Sequence, residues 1–307
     1  MKQIVVVSGK GGTGKTSITG AFCWFARKES TEGGSIYADC DVDASNLHLL
    51  LFPEKLESGI FTGGKKARIV EEECTSCGRC FEVCRFDAIR KIETVEEKLG
   101  RYRIDETACE GCGVCYRVCP AEAIRFEPAD SGEWFRSSTP YGDLFHARLY
   151  PGEENSGKLV TLVKKKAEER ARETGADILL VDGPPGTACP VLAALTGGDL
   201  AVVVAEPTVS SMSDMERIAG VIRHFEMPFG VLINKSTLNE DNTARIEAYC
   251  RKEGIPHFGS IPFHPNFHRA VSACKPYPEF TQDEIHGLLG AAWSRVRGAV
   301  EAEIEAK

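Results

Sequence analysis

The stretch Gly9-Lys10-Gly11-Gly12-Thr13-Gly14-Lys15-Thr16 decides how the rest of the chain is read. It satisfies G-x-x-x-x-G-K-[ST], follows the strand-like run Ile4-Val5-Val6-Val7, and opens a segment of helical character over 15–29. Glycines in such a turn let successive backbone N–H groups face phosphate oxygens, and the helix N-terminus behind them favours negative charge. The pattern assigns Gly11, Gly12, Thr13, Gly14, Lys15, Thr16 and Ser17 to nucleotide binding. Lys15 is expected to reach the β and γ phosphates, and the Thr16 hydroxyl to hold Mg²⁺.

Outward from this loop, short apolar runs recur at 35–38 (SIYA), 178–181 (ILLV), 200–205 (LAVVVA) and 230–233 (GVLI). Runs that are apolar at every position suit strands covered on both faces. Helical patterns over 158–173, 211–226 and 240–253 lie between them, which predicts an α/β fold with a mostly parallel sheet flanked by helices. The alternation stops at Gly63-Gly64 and resumes near Ser156. The gap contains an internal repeat, C-T-S-C-G-R-C-F-E-V-C against C-E-G-C-G-V-C-Y-R-V-C, and then a stretch over 128–156, with Trp134, Phe135 and Tyr141, that reads as a returning hairpin. The predicted organisation is a discontinuous main domain, 1–63 and 128–307, with an insert over 64–127.

Of 13 cysteines, eight fall between Cys74 and Cys119. Cys74, Cys77, Cys80 and Cys84 follow C-x2-C-x2-C-x3-C, and Cys109, Cys112, Cys115 and Cys119 repeat it before Pro120. Zinc sites more commonly use C-x2-C pairs a dozen or more residues apart, whereas uninterrupted four-cysteine runs suit [4Fe–4S] cubes. Arg85 stands where a proline would end the first run. The chain shows no signal-peptide pattern before its first strand, so thiols kept reduced in a cytoplasmic protein are expected. At 307 residues and 42% hydrophobic the composition is that of a globular protein, and a net charge of −8 disfavours nucleic-acid binding. No apolar run approaches the roughly 18 residues of a membrane span.

With Lys10 at its start, the loop resembles the deviant Walker A motif, K-G-G-x-G-K-[ST], of the MinD/ParA superfamily of P-loop ATPases. That resemblance implies an ATP-sandwiched homodimer in which Lys10 contacts the partner's nucleotide. It also implies roles for Asp39 and Asp41 of the D-x-D after the second strand, the first beside Mg²⁺ and the second orienting the attacking water. Asp182 matches the Walker B aspartate that holds Mg²⁺, Gly183 to Thr187 the second switch loop, Asn234 an adenine-contacting asparagine, and Pro262 lies on a loop bordering the adenine pocket. The insert resembles a two-cluster bacterial ferredoxin. By that family's crossing pattern, Cys74, Cys77, Cys80 and Cys119 hold one cluster, and Cys109, Cys112, Cys115 and Cys84 the other.

Cys189 stands seven residues after Asp182, the spacing at which the related nitrogenase iron protein places a cluster-binding cysteine. No second partner for a bridging cluster is evident, so Cys189 is read as a small buried thiol. His257, His264 and His268 are read as loop hydrogen-bonders. Ile285, Leu288, Leu289, Ala292, Trp293 and Val296 recur at helical spacing, and the following Glu301, Glu303 and Glu305 favour packing on the main domain over membrane binding.

The expectation is a dimeric MgATPase with two [4Fe–4S] clusters, coupling hydrolysis to electron transfer or metallocofactor assembly with a redox or cofactor-assembly protein partner. A positioning or scaffold ATPase with structural or sensory clusters is the alternative. A carrier that hands clusters to apo-proteins is a third.

Overall fold

The computed structural model describes residues 1–30, 34–92, 101–153 and 155–305, with 303–305 by backbone only. Residues 93–100 and 154, within the expected insert and hairpin, and the Glu303 and Glu305 side chains lie outside the described residues.

In chain order the elements are β1 (Lys2–Ser8), α1 (Lys15–Glu29), β2 (Ser35–Asp39), α2 (Leu47–Leu51), β3 (Glu54–Ile69), α3 (Arg79–Val83), β4 (Ile89–Ile92) and β5 (Arg101–Ile104). Next come α4 (Val114–Val118), β6 (Ile124–Thr139), β7 (Gly142–Leu149), α5 (Ser156–Thr174), β8 (Ile178–Pro185), α6 (Cys189–Leu195) and β9 (Leu200–Ala205). The chain then forms α7 (Val209–His224), β10 (Phe229–Asn234), α8 (Glu240–Lys252), β11 (His257–Ile261), α9 (Asn266–Ser272), α10 (Tyr277–Phe280) and α11 (Glu284–Glu305).

Nine strands form one sheet in the order β11-β10-β9-β1-β8-β2-β7-β6-β3. From β11 to β7 every pairing is parallel. The central strands β2 and β9 are buried along their whole length, and β1 from Gln3 onward, because helices cover both faces, which is why they read as apolar runs. Parallel register brings the ends of β1, β2 and β8 together: Val6 and Asp39 both lie opposite Asp182. The chain turns off the sheet at this edge, so the loops after these strands share one site.

α11 packs into the main core through Ile285, Leu289, Ala292, Trp293, Val296 and Val300. Trp293 is fully buried against Phe22 of α1, and its Nε1–H donates to Glu29 at 2.8 Å. An enclosed tryptophan of this kind contributes on the order of 3–5 kcal/mol. The apolar face predicted from helical spacing is thus consumed by the core.

Two compact units divide the chain. The first comprises 1–58, 134–148 and 156–307, and the second 59–133 and 149–155. The second has a small core of its own, Ala67, Cys80, Ile89, Ile104, Cys115 and Ile124, beneath α3, α4 and the antiparallel β4–β5 pair. A core with so few aliphatic side chains needs the sulfur atoms as packing material.

In the first unit, the His146 ring of β7 stacks on His48 of α2, centres 5.2 Å apart, and on Phe135 at 5.0 Å. Burial, and then the neighbouring His48, hold the His146 imidazole down to about 4. A folded value below the ordinary one of about 6.5 leaves the stabilisation complete above that pH and erodes it as pH falls toward the folded value. Denaturant titrations are expected to lose about 2 kcal/mol from this residue between about pH 7 and pH 5. His146→Phe, which keeps the stack and removes the proton site, is expected to flatten that slope. An unchanged slope would assign the acid sensitivity to other groups.

Candidate functional site

The phosphate loop spans the gap between β1 and α1. Gly14 ends it in the left-handed region, φ 86°, and a Cβ there would lie 2.3 Å from Nδ2 of Asn234. Glycine is therefore required twice at this position, for conformation and for space. Asn234 Nδ2 donates to the Thr13 carbonyl at 2.8 Å, so this residue, expected at the adenine, buttresses the loop from beneath. Thr13 Oγ1 and Asn234 Oδ1 are buried and have no hydrogen-bond partner among the described residues. Unpaired buried polar atoms cost free energy, and two of them beside a glycine-rich loop are groups a bound nucleotide can satisfy.

Behind the loop, three donors from α1 converge on the fully buried Asp182. Lys15 Nζ lies 2.9 Å from Oδ1, Thr19 Oγ1 donates to Oδ1 at 2.8 Å, and Thr16 Oγ1 donates to Oδ2 at 2.8 Å. Thr19 was not singled out from the sequence; its place one turn after Lys15, on the same face of α1, is the signal that identifies it. Burial pulls the Lys15 amine down, but Asp182, Asp39 and Asp41 outweigh it and hold the amine above its ordinary value, so it stays charged.

The two carboxylates of the D-x-D are in different surroundings. Asp39, fully buried, accepts from the Asp41 N–H at 3.1 Å, the Ser45 hydroxyl at 2.7 Å, and the N–H groups of Asn46 and Leu47 at 3.1 and 3.0 Å. It ties the loop after β2 to the start of α2. Burial and then the Asp182 charge push it up to about 7. Asp41 is the open member, 15% exposed, with Oδ2 3.8 Å from Lys15 Nζ. Asp41 is thus the carboxylate of the pair that solvent reaches, while Asp39 is enclosed by four protein donors.

Lys10 is held by Glu206 at 2.6 Å and by the hydroxyls of Thr208 and Ser210 at 3.0 and 3.1 Å. Lys235 joins Glu206 at 3.0 Å to the Gly12 carbonyl at 2.7 Å. Glu206, Lys235 and Ser45 carry no motif in the sequence; they are found only because distant strands end side by side. Gly11 is exposed at the loop's outer edge, Ser17 is half-buried on α1, and Pro262 follows β11. His257 meets the Ser260 hydroxyl, and His264 Nδ1 accepts from the Asn266 N–H.

In the second unit the cysteines surround two hollows. One, partly open to solvent, is lined by Cys84, Cys109, Cys112 and Cys115. The other, also partly open, is lined by Cys74, Cys77, Cys80 and Cys119. Each hollow thus takes three thiols from one run and one from the other. Gly78 and Gly113 before α3 and α4 have positive φ, and they turn the chain so that Cys80 and Cys115 point inward. Among the described residues no group of three or more His, Cys, Asp or Glu side chains is placed to hold a metal ion.

Cys189 differs from expectation: it is exposed, at the first position of α6, not a buried packing thiol. The short helix starts there at the surface, so its first side chain is left in solvent. Cys40, between the two aspartates, is buried, and burial followed by the Asp39 charge pushes its thiol well up, keeping it protonated and unreactive.

The strand order, the glycine loop before α1 and the aspartate at the end of β8 define a P-loop nucleotide-binding protein. A family model described as CbiA, the CobQ/CobB/MinD/ParA nucleotide binding domain, matches residues 4–277, and the chain belongs to that family. It is a nucleotide-binding ATPase of the MinD/ParA type. An uncharacterized protein of Methanocaldococcus jannaschii, MJ0578, is 35% identical over 242 residues, 78% of this chain and 80% of that protein. Among solved structures, the septum site-determining protein MinD of Pyrococcus horikoshii, in complex with Mg-ADP, aligns at TM-score 0.60 with 16% identity over 98% of both chains. MinD in the MinC:MinD cell division complex of Aquifex aeolicus aligns at TM-score 0.56 with 17% identity, over 97% of this chain and 96% of that one. At these identities the structural likeness shows the fold alone. The family match lends no support to electron transfer; it stands closer to the positioning or scaffold alternative without specifying that role. Among the described residues no helix is long and apolar enough to cross a membrane.

Proposed function

We propose that the chain is a MinD/ParA-type switch: MgATP joins two copies, hydrolysis separates them, and the second unit carries two [4Fe–4S] clusters through which a protein partner senses or uses that state. The observation that carries the switch is the convergence of Lys15, Thr16 and Thr19 on the buried Asp182, beside the unpaired Thr13 Oγ1 and Asn234 Oδ1. The Mg-ADP bound by the Pyrococcus MinD supports the choice of ligand. The MinC:MinD complex gives a precedent for a protein partner.

In this reading Thr16 and Asp182 hold Mg²⁺, the metal directly or through water. Lys15 leaves Asp182 for the phosphates, a short move because both partners lie on one wall of the site. Lys10 reaches across the dimer to the terminal phosphate of the partner's nucleotide, and Asp41 orients the attacking water in its own site; catalysis is positioning and neutralisation of charge. Asp39, through Ser45 and the N–H groups of 46 and 47, connects the site to the start of α2.

The two hollows support the clusters. A single zinc ion needs four sulfurs about 2.3 Å from one point, whereas a cube keeps its thiolates further apart around an enclosed volume. The reading rests on eight thiols sorted four and four around two hollows. When bound, such clusters supply one-electron carriers. That thiol arrangement keeps ATP-coupled electron transfer as a second reading.

The switch is tested by sedimentation of an Asp41→Asn variant, in which hydrolysis is slowed. The expected result is a doubling of mass with MgATP and a single chain with MgADP. Equal mass in both states would sink it.

A further inference from the structure

Glu206 follows β9 and stands between the only two lysines that the described residues place on its carboxylate. Its Oε1 lies 2.6 Å from Lys10 Nζ and its Oε2 3.0 Å from Lys235 Nζ. The side chain is 12% exposed, so neither bridge is screened as a surface pair would be. Burial would push its carboxyl up, but the two lysines outweigh that and hold it below the ordinary range, so it is ionised at neutral pH.

The two lysines are in different positions. Lys235 also donates to the Gly12 carbonyl, so it braces the loop itself. Lys10 springs from the loop, yet its amine partners lie elsewhere: Glu206 and Thr208 on the β9–α7 connection and Ser210 in the first turn of α7. A phosphate that recruits Lys10 must therefore draw it off a carboxylate, and only an anion placed within its reach can do so.

We propose that Glu206 is a positioning residue that sets the preference of the site for a nucleoside triphosphate over a diphosphate, by holding Lys10 until a terminal phosphate displaces it. The inference rests on Lys10 acting as a ligand of that phosphate. A diphosphate leaves the Lys10–Glu206 bridge intact and gains nothing from its removal. A triphosphate breaks the bridge, so its affinity includes that cost, and a ligand shifts an equilibrium only by its differential interaction with the two states. The Lys235–Gly12 brace is common to both nucleotides and cancels in their ratio.

The test is calorimetric binding of MgADP and of a Mg-bound ATP analogue with an imido β–γ bridge. The proteins are the unmodified chain, Glu206→Gln, Lys10→Ala and the double variant. Glu206→Gln is expected to raise the ratio of analogue to ADP affinity by about three- to tenfold. Lys10→Ala is expected to lower it, and the double variant to match Lys10→Ala. A ratio unchanged within about twofold in Glu206→Gln, with both nucleotides still binding, overturns the role of Glu206. A full effect persisting without Lys10 also overturns it. Failure of the unmodified chain to bind either nucleotide would instead strike at the nucleotide site, and this inference would fall with it.

Discussion

Lys15→Ala is expected to lower the ATPase rate by about 10²–10³-fold or more, as loss of a preorganised charge from a phosphoryl-transfer site does. The structure adds a second expectation. Lys15 is 6% exposed and pairs at 2.9 Å with a fully buried carboxylate, so the substitution strands Asp182 in the interior. Removing one partner of such a pair typically costs about 3–5 kcal/mol. The remaining donors, the Thr16 and Thr19 hydroxyls, place the loss toward the lower end of that range. Adding Asp182→Asn to Lys15→Ala removes the stranded charge and is expected to recover most of the stability but none of the rate. Rate and chemical denaturation measured together separate the two effects. Full activity in Lys15→Ala would overturn the catalytic site, and a double variant less stable than the single would overturn the account of the buried pair.

The second large effect concerns iron. Anaerobic reconstitution is expected to load about eight irons per chain if both thiol-lined hollows hold cubes. The arrangement of the hollows makes a sharper prediction, because each takes its fourth thiol from the other run. Cys84→Ser with Cys109→Ser removes two ligands of one hollow and is expected to leave about four irons. Cys84→Ser with Cys80→Ser, two residues of the same run, strikes both hollows and is expected to leave few. Ligation run by run would reverse those two outcomes. Tightly held zinc with iron near zero would exclude cubes altogether.

The parts of this protein legible in sequence are those fixed by local chemistry. Gly9 to Thr16 announces a phosphate loop because turn geometry, backbone donors and helix N-terminus all lie within eight residues. The central strands are equally plain, since burial on both faces leaves no polar position in 4–7 or 200–205. The repeated cysteine spacing identifies eight thiols, whereas the second compact unit, 59–133 with 149–155, includes a returning segment that the expected insert over 64–127 does not. The helical spacing of Leu289, Trp293 and Val296 marks an apolar face, but not the surface that covers it.

Other features depend on residues far apart in the chain. Thr19 joins Asp182 across 163 positions and Lys10 meets Thr208 across 198, contacts that exist only because parallel strands end on one edge of the sheet. Asp39 and Asp41 look alike in a D-x-D, yet folding encloses one among four donors and leaves the other open. Cys189 reads as a packing thiol until the start of α6 is seen at the surface. Sequence alone therefore determined the class of fold, the phosphate loop and the inventory of thiols, because each is written in short-range spacing. Tertiary structure decided which carboxylate is free, which lysine is restrained and which four thiols share a hollow, because burial and charge pairing are set by neighbours in space.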